Sequence, residues 1–236
     1  MRIGLLADIH ANLPALEKAL QIAETERVTW FMVAGDLIGY YPFPGEVVSI
    51  MRERLAHRAC IVVGNHDHKI LTGEEFPESY SATVTARWQR RVLNEHQLGF
   101  IRGLPQKIYH RIAGRQFLLI HGSPQSPLSG RITSIHQIEP VEADIVVFGH
   151  THKPALMEKD QALWVNPGSV GQPRDGDPRG AMAIVDLPQL TVRFIRFHYE
   201  IKPIEERWPA IRRLGLDDRL LQWLYHGRYQ APSPEL

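Results

Sequence analysis

Short apolar runs in the first hundred residues alternate with longer stretches in which apolar residues recur at helical spacing. Ile3 to Ala7 reads as a buried strand. A turn follows, then a helix that Asn12 can cap, with Pro14 in its first turn and Leu13, Leu16, Leu20 and Ala23 on its buried face. Thr29 to Ala34 predicts the next strand, ending at Gly35-Asp36. After Pro42-Phe43-Pro44-Gly45, the positions Val47, Val48, Met51 and Leu55 mark a second amphipathic helix, which leads into strand Cys60 to Val63. Strand, helix, strand, helix, strand implies a parallel sheet with right-handed crossovers, and ligands gather beyond the carboxyl ends of such strands. Asp8, Asp36 and Asn65 all fall there.

The second half has shorter, β-rich segments joined by tight turns. Lys107 to Ile112 and Gln116 to Ile120, separated by Ala113-Gly114-Arg115, predict a hairpin whose second strand delivers His121. Asp144 to Phe148 leads to His150 and His152. Ala155 to Glu158 with Leu163 to Val165, and Ala181 to Leu187 with Leu190 to Phe197, predict further hairpins. The expected product is two packed mixed sheets. Between the halves, residues 71 to 104 hold one helical stretch, Ala82 to Leu98, with Trp88, Val92 and Leu93 along it. From Pro203 onward, Trp208, Ile211 and Leu214, then Leu220, Leu221, Trp223 and Leu224, predict two helices and a polar, proline-containing tail. The helices are expected to pack on the body or to form a homo-oligomer contact.

Composition narrows the class. The 236 residues are 44% apolar and 22% charged, enough for one substantial core. A net charge of +1 is too balanced to leave a footprint for nucleic acid. Cys60 is the only cysteine, so an intrachain disulfide is excluded and a buried, inert thiol is expected. The apolar start is too short for a signal peptide, and no run of about 18 apolar residues occurs, so a cytoplasmic protein without a membrane span is expected.

The candidate chemistry lies in Asp8-Ile9-His10, Gly35-Asp36, Gly64-Asn65-His66-Asp67 and Gly149-His150-Thr151-His152, with His121 after a fifth apolar run. Each segment alone arises readily by chance; all five, each just past a predicted strand, read as a metal site assembled from loops. Imidazole and carboxylate without thiolate favour manganese, iron, zinc, cobalt or nickel over magnesium or calcium. Asp8 and His10, like His150 and His152, lie two apart, so in extended segments each pair would point the same way. His57, His68, His96, His110, His136, His198 and His226 lie outside the pattern and read as surface or structural residues. Trp88, Trp208 and Trp223 read as packing residues.

The order of these segments resembles the calcineurin-like metallophosphoesterase superfamily, whose pattern runs D-x-H, G-D, G-N-H-[DE], an isolated His, then G-H-x-H. Asp8 to Pro14, Gly35 to Tyr40 and Asn166 to Arg174 extend the likeness, which covers residues 1 to 198 and points to the small single-domain bacterial phosphodiesterase-like branch. The resemblance implies a four-layer α/β sandwich of two mixed sheets flanked by helices. It implies a domain over residues 1–200, with 71–104 as a variable cap-like insertion and 201–236 as a helical extension. It also implies two divalent metal ions, Mn²⁺ first, with Fe, Zn, Ni or Co as alternatives. Asp8, His10, Asp36 and His152 would hold one; Asp36, as the bridge, with Asn65, His121 and His150 would hold the other. His66 would be catalytic, facing substrate, and Asp67 would orient a neighbouring imidazole. Asn12, Asn65, His66 and Arg174 would contact substrate, Asn12 from a helix start where free N–H groups favour anions.

The implied reaction is in-line attack of metal-bound hydroxide on a small or nucleotide-derived phosphodiester. Two departures separate the chain from other branches. Purple acid phosphatases place a ligating Tyr three residues after the bridging Asp, where this chain has Gly39, with Tyr40 one further on. Phosphoprotein phosphatases and symmetrical diadenosine tetraphosphatases carry an Arg in that loop, and none occurs here between Asp36 and Arg52. A dinucleoside polyphosphate hydrolase or a phosphomonoesterase is the alternative enzyme reading. A metal-binding interaction scaffold, as in the retromer subunit of this fold, is the non-enzyme alternative; that subunit has lost ligand positions, all of which are filled here.

Overall fold

Apolar strands with helical crossovers build the first half of the chain into a parallel core, as a computed structural model describing residues 1–216 and 218–228 shows. Strands β1 (Arg2–Leu6), β2 (Trp30–Val33) and β3 (Ala59–Ile61) lie parallel, linked by helices α1 (Leu13–Thr25) and α2 (Pro44–Ile50). Asn12 caps α1, its Oδ1 accepting from the Ala15 N–H at 3.1 Å. The second crossover helix predicted as far as Leu55 is less regular. After α2 the chain widens into a π-turn, Met51–Leu55, and a 3₁₀ turn, Ala56–Arg58, while still burying Val47, Val48, Met51 and Leu55.

The second half forms its own sheet from β4 (Lys107–Ile112), β5 (Arg115–Ile120), β6 (Ile145–Val147), β7 (Ala155–Lys159) and β8 (Ala162–Asn166). The order is β4-β5-β6-β8-β7, in which β5, β6 and β8 are parallel and the edge strands antiparallel. The β4–β5 turn is shorter than predicted: Ala113 and Gly114 turn it alone, with φ of 48° and 82°, a two-residue link matching strand twist. Strands β9 (Gly180–Asp186) and β10 (Thr191–Phe197) return to the first sheet and give the order β10-β9-β1-β2-β3.

The sheets pack face to face through Ile3, Leu5, Met32 and Val62 on one side and Phe117, Leu119, Val147 and Val165 on the other. The outer face of the first sheet is covered by helices; that of the second, carrying Leu118, Val146 and Trp164, is covered by Ile132 and Ile138, which flank a 3₁₀ turn at Ile135–Gln137.

After α3 (Asn65–Thr72), the single helix expected over residues 82–98 is two, α4 (Tyr80–Val92) and α5 (Glu95–Arg102). Asn94 breaks them: its side chain accepts from Gln97 N–H while the Gln97 side chain accepts from Asn94 N–H, a reciprocal cap. Helices α6 (Lys202–Arg212) and α7 (Arg219–His226) bury Trp208, Ile211, Leu220, Leu221 and Leu224 in the helical layer over the first sheet. The polar tail predicted after them lies outside the described residues.

Candidate metal centre

Every predicted donor sits just past the carboxyl end of a parallel strand: Asp8 after β1, Asp36 after β2, Asn65 after β3, His121 after β5, His150 and His152 after β6. The local backbone differs from the extended form expected of the D-x-H and H-x-H pairs. Asp8, His10, Asp36, His150 and His152 all have left-handed φ, from 50° to 65°. Turns, not strand alternation, aim the paired side chains inward. Asp and His tolerate this region better than most residues, yet each such residue stores about 1–3 kcal/mol that surrounding bonds must offset. Those bonds are present. Ile9 and His10 N–H groups both donate to the Asp36 carbonyl at 2.8 and 3.0 Å, and Gly149 N–H donates to the His121 carbonyl at 2.9 Å. The Asn166–Gln172 stretch braces them further: Ser169 Oγ donates to the Asp8 carbonyl at 2.6 Å and Asn166 Nδ2 to the Gly149 carbonyl at 2.8 Å.

The donors converge in two groups that share Asp36. One ligand atom each from Asp8, His10, Asp36 and His152 lies within 4.8 Å of the others. On the other side, Asn65 Oδ1 stands 2.9 Å from His121 Nε2 and 3.0 Å from His150 Nδ1. Between the groups, Asp36 Oδ2 faces His10 Nε2 at 3.7 Å and His121 Nε2 at 3.4 Å. Gly64 is required here, because a Cβ on it would stand 2.1 Å from Asp36 Oδ1.

The protons of this cluster test whether it fits cations. His152 Nδ1 faces the Gln172 carbonyl at 2.6 Å and His121 Nδ1 faces the Ala34 carbonyl at 2.7 Å. A carbonyl only accepts, so each Nδ1 carries the proton and each Nε2 turns a lone pair inward. His121 Nε2 therefore meets the Asn65 oxygen with no proton between them, and His152 Nε2 meets the Asp8 carboxylate at 3.3 Å. Converging lone pairs in a buried site suit divalent cations.

Burial sets the charge states. It pushes the Asp36 carboxyl up to about 7 and, with the Asp36 charge added, holds Asp8 well above the carboxylate range. It depresses His121 to about 4 and His150 to about 3, and His10 and His152 also fall well below the usual imidazole value. The imidazoles are thus neutral and ready to ligate, whereas the carboxyls must shed protons to do so.

A polar cavity of about 240 Å³ opens over Asp36, Asn65, His150 and His152. His66 lines it, stacked on Phe76 at 4.4 Å between ring centroids and edge-on to His10 at 4.8 Å. Arg174 lines it too. Its acidic neighbours turn elsewhere, Asp175 to Arg196 and Asp177 to Arg179, so Arg174 donates to Gln172 Oε1 at 2.8 Å and to the Tyr40 hydroxyl at 3.3 Å.

Two predicted roles are corrected. Asn12 does not reach the cavity: it is fully buried, caps α1 with its oxygen and donates from Nδ2 to the Gly171 carbonyl and the Tyr199 hydroxyl. Asp67 orients backbone rather than an imidazole, accepting from the N–H groups of Gly64, Leu37 and Ile38 at 2.9, 3.2 and 3.0 Å. The sequence reading also missed Phe76, Arg131 and Trp223 as cavity walls, and Gln89, whose buried amide holds the Gly39 and Tyr41 backbone.

Comparison with known proteins places this geometry. An uncharacterised protein of Methanocaldococcus jannaschii, MJ0912, is 28% identical over 94% of this chain and 95% of its own length. Phosphodiesterase YfcE of Escherichia coli is 27% identical over 75% of this chain and 84% of its own. A metallophosphoesterase from Sphaerobacter thermophilus superposes with a TM-score of 0.77 at 29% identity, covering 96% of this chain and 99% of that one. The model of the calcineurin-like phosphoesterase superfamily domain matches residues 1–189, and the chain belongs to that superfamily.

Proposed function

We propose that this protein is a binuclear metal-dependent phosphodiesterase acting on a small phosphodiester, with manganese as its working ion. The observation that carries the reading is Asp36 Oδ2, a single carboxylate oxygen facing an imidazole nitrogen of each donor group beside a cavity that His66 and Arg174 line. Asp8, His10 and His152 would hold one ion with Asp36, and Asn65, His121 and His150 the other. Such a pair neutralises phosphoryl charge and acidifies water.

The remaining work falls to side chains. Arg174 carries a fixed positive charge toward the phosphoryl oxygens, steadied by the rings of Tyr40 and Trp223 at 5.8 and 5.3 Å from its guanidinium carbon. His66 is kept neutral, first by burial and next by Arg174. An anionic phosphoryl group beside it raises its proton affinity, so it can donate to a phosphoryl oxygen or to the departing alkoxide. Asn65 supplies an oxygen to the cluster from the first turn of α3, whose next N–H, that of His66, donates to Asp36 Oδ1 at 2.8 Å. YfcE and MJ0936, phosphodiesterases by name, support the diester as substrate class at 27% identity each.

The test strips metal, restores manganese, nickel, cobalt, zinc or magnesium, and compares bis(p-nitrophenyl) phosphate with p-nitrophenyl phosphate. Manganese-dependent diester cleavage is expected. Preference for the monoester makes the protein a phosphatase, and two bound ions without turnover favour the scaffold.

A further inference from the structure

The loop that follows Asp36 is buried along residues 37 to 41, so its backbone groups need partners inside the protein. Its first half is held from α3, where Asp67 accepts from the Leu37 and Ile38 N–H groups. Its second half is held from α4, in the insertion between the two halves of the chain. Gln89 Oε1 accepts from the Gly39 N–H at 2.7 Å, and Nε2 donates to the Gly39 and Tyr41 carbonyls at 2.6 and 2.8 Å. Gln89 is fully buried, at a helix position where leucine would pack without the cost of desolvating an amide. What the amide adds over leucine is a fixed backbone.

That backbone lies against His66. Gly39 has a φ of 125°, and a Cβ on it would stand 2.8 Å from His66 Nδ1 and 2.9 Å from His10 Nδ1, so only a bare backbone fits between the two rings. Tyr40 sits between the two residues that Gln89 holds, and its ring lies 4.7 Å from that of His66 and 4.9 Å from that of His10, centroid to centroid. On its other flank His66 stacks on Phe76, whose N–H donates to Thr83 Oγ1 at 2.8 Å and whose carbonyl accepts from the same hydroxyl at 3.2 Å. Helix α4 therefore holds both flanks of His66, one through Thr83 and one through Gln89. We propose that Gln89 is a positioning residue: through Gly39 and Tyr40 it fixes the His66 ring, so that the insertion sets how the phosphoryl group is met. The task given to His66 rests on the phosphodiesterase reading.

The test is a double-mutant cycle between Gln89 and His66 in the full-length, manganese-loaded protein. It is read by calorimetric titration with inorganic phosphate and by turnover of bis(p-nitrophenyl) phosphate. Gln89→Glu keeps an acceptor for the Gly39 N–H but sets an oxygen against two carbonyls; Gln89→Met keeps the length of the side chain and none of its bonds. Each should lower kcat about tenfold with KM raised about threefold at most, and weaken phosphate about threefold, with both ions retained by elemental analysis. In the His66→Ala background the same substitutions should change phosphate affinity and kcat by roughly 1.5-fold at most. A residue that only holds the fold would cost as much there as in the wild type. Losses that add, a wild type that binds no phosphate, or phosphate affinity and turnover untouched by either Gln89 variant overturn the proposal. Tyr40→Leu leaves the amide in place and should show the same loss and the same coupling; an additive loss there overturns the route even where the Gln89 variants do not fold. Coupled losses of phosphate affinity in a protein without turnover remove the hydrolase reading and keep the positioning role, whereas turnover with additive losses does the reverse.

Discussion

The two donor groups that share Asp36 are embedded differently. Asp8 and His10 are fully buried and His152 nearly so, each on a left-handed turn fixed by neighbouring loops. On the other side Asn65 and His150 are half-buried and form part of the cavity floor, with only His121 fully enclosed. The inner group is the more enclosed, reaching the cavity through His152 and the shared Asp36; on the proposed reading the outer one would present its ion to whatever enters. With an ion in each group, the fold would separate retention from reaction within a few ångströms, with Asp36 as the joint.

Asp36→Asn attacks that joint and should give the largest effect. Both ions should be lost and turnover should fall on the order of 10³-fold, read together by elemental analysis and diester hydrolysis. Retention of both ions would deny Asp36 its shared role. His66→Ala should lower kcat about 10²-fold while leaving ion content intact, which separates proton donation from ligation.

Chelation sharpens the contrast between the groups. The outer ion should leave first, with an apparent affinity about tenfold or more below that of the inner ion. His150→Ala should leave one ion behind; a single concerted loss would mean the groups act as one. Acid should act through the carboxyls, because burial raises Asp36 to about 7 but lowers His121 to about 4 and His150 to about 3. Below pH 7 the carboxyl holds a proton that an ion must displace, so manganese affinity should fall about tenfold per displaced proton per pH unit and level off above that pH. Titration at pH 6 in buffers of different ionisation enthalpy measures the release, and none released would contradict it. The smallest effect is expected from Arg174→Ala, a rise in KM of about tenfold with kcat less affected and both ions retained.

The donor set was legible because its residues follow strands whose apolar runs are plain in the sequence, and parallel topology then sends Asp8, Asp36 and Asn65 to one edge. How the pairs converge was not legible. Spacing of two suggests an extended strand, and left-handed turns at Asp and His leave no composition signal of their own. Other misses did carry one. Asn94 with Gln97 is a capping pair that marks the break between α4 and α5, and Asp67 at the third position after Gly64 is a first-turn acid suited to backbone N–H groups. Trp223 reads as packing because helical periodicity cannot see that Leu221 and Leu224 face the body while the indole reaches a cavity lined by residues from Asp36 to Arg174. Asn12 follows the rule for helix caps with its oxygen, while its Nδ2 is engaged by the Gly171 carbonyl and the Tyr199 hydroxyl, partners too far along the chain for local pattern to show.

His10 and His152 touch across a separation of 142 residues, and Asn65 and His150 across 85, each pair joining one sheet to the other. An ion held by either pair is a rivet driven through both layers of the sandwich. Cross-links of that span constrain the unfolded chain by about 5 kcal/mol when covalent. An ion that only the folded chain could hold would extend the same kind of tie, stabilising with the logarithm of its concentration above Kd. The melting temperature of this protein would then gauge its metal supply, and a chain starved of ions would be easier to pull apart between its sheets than within either one.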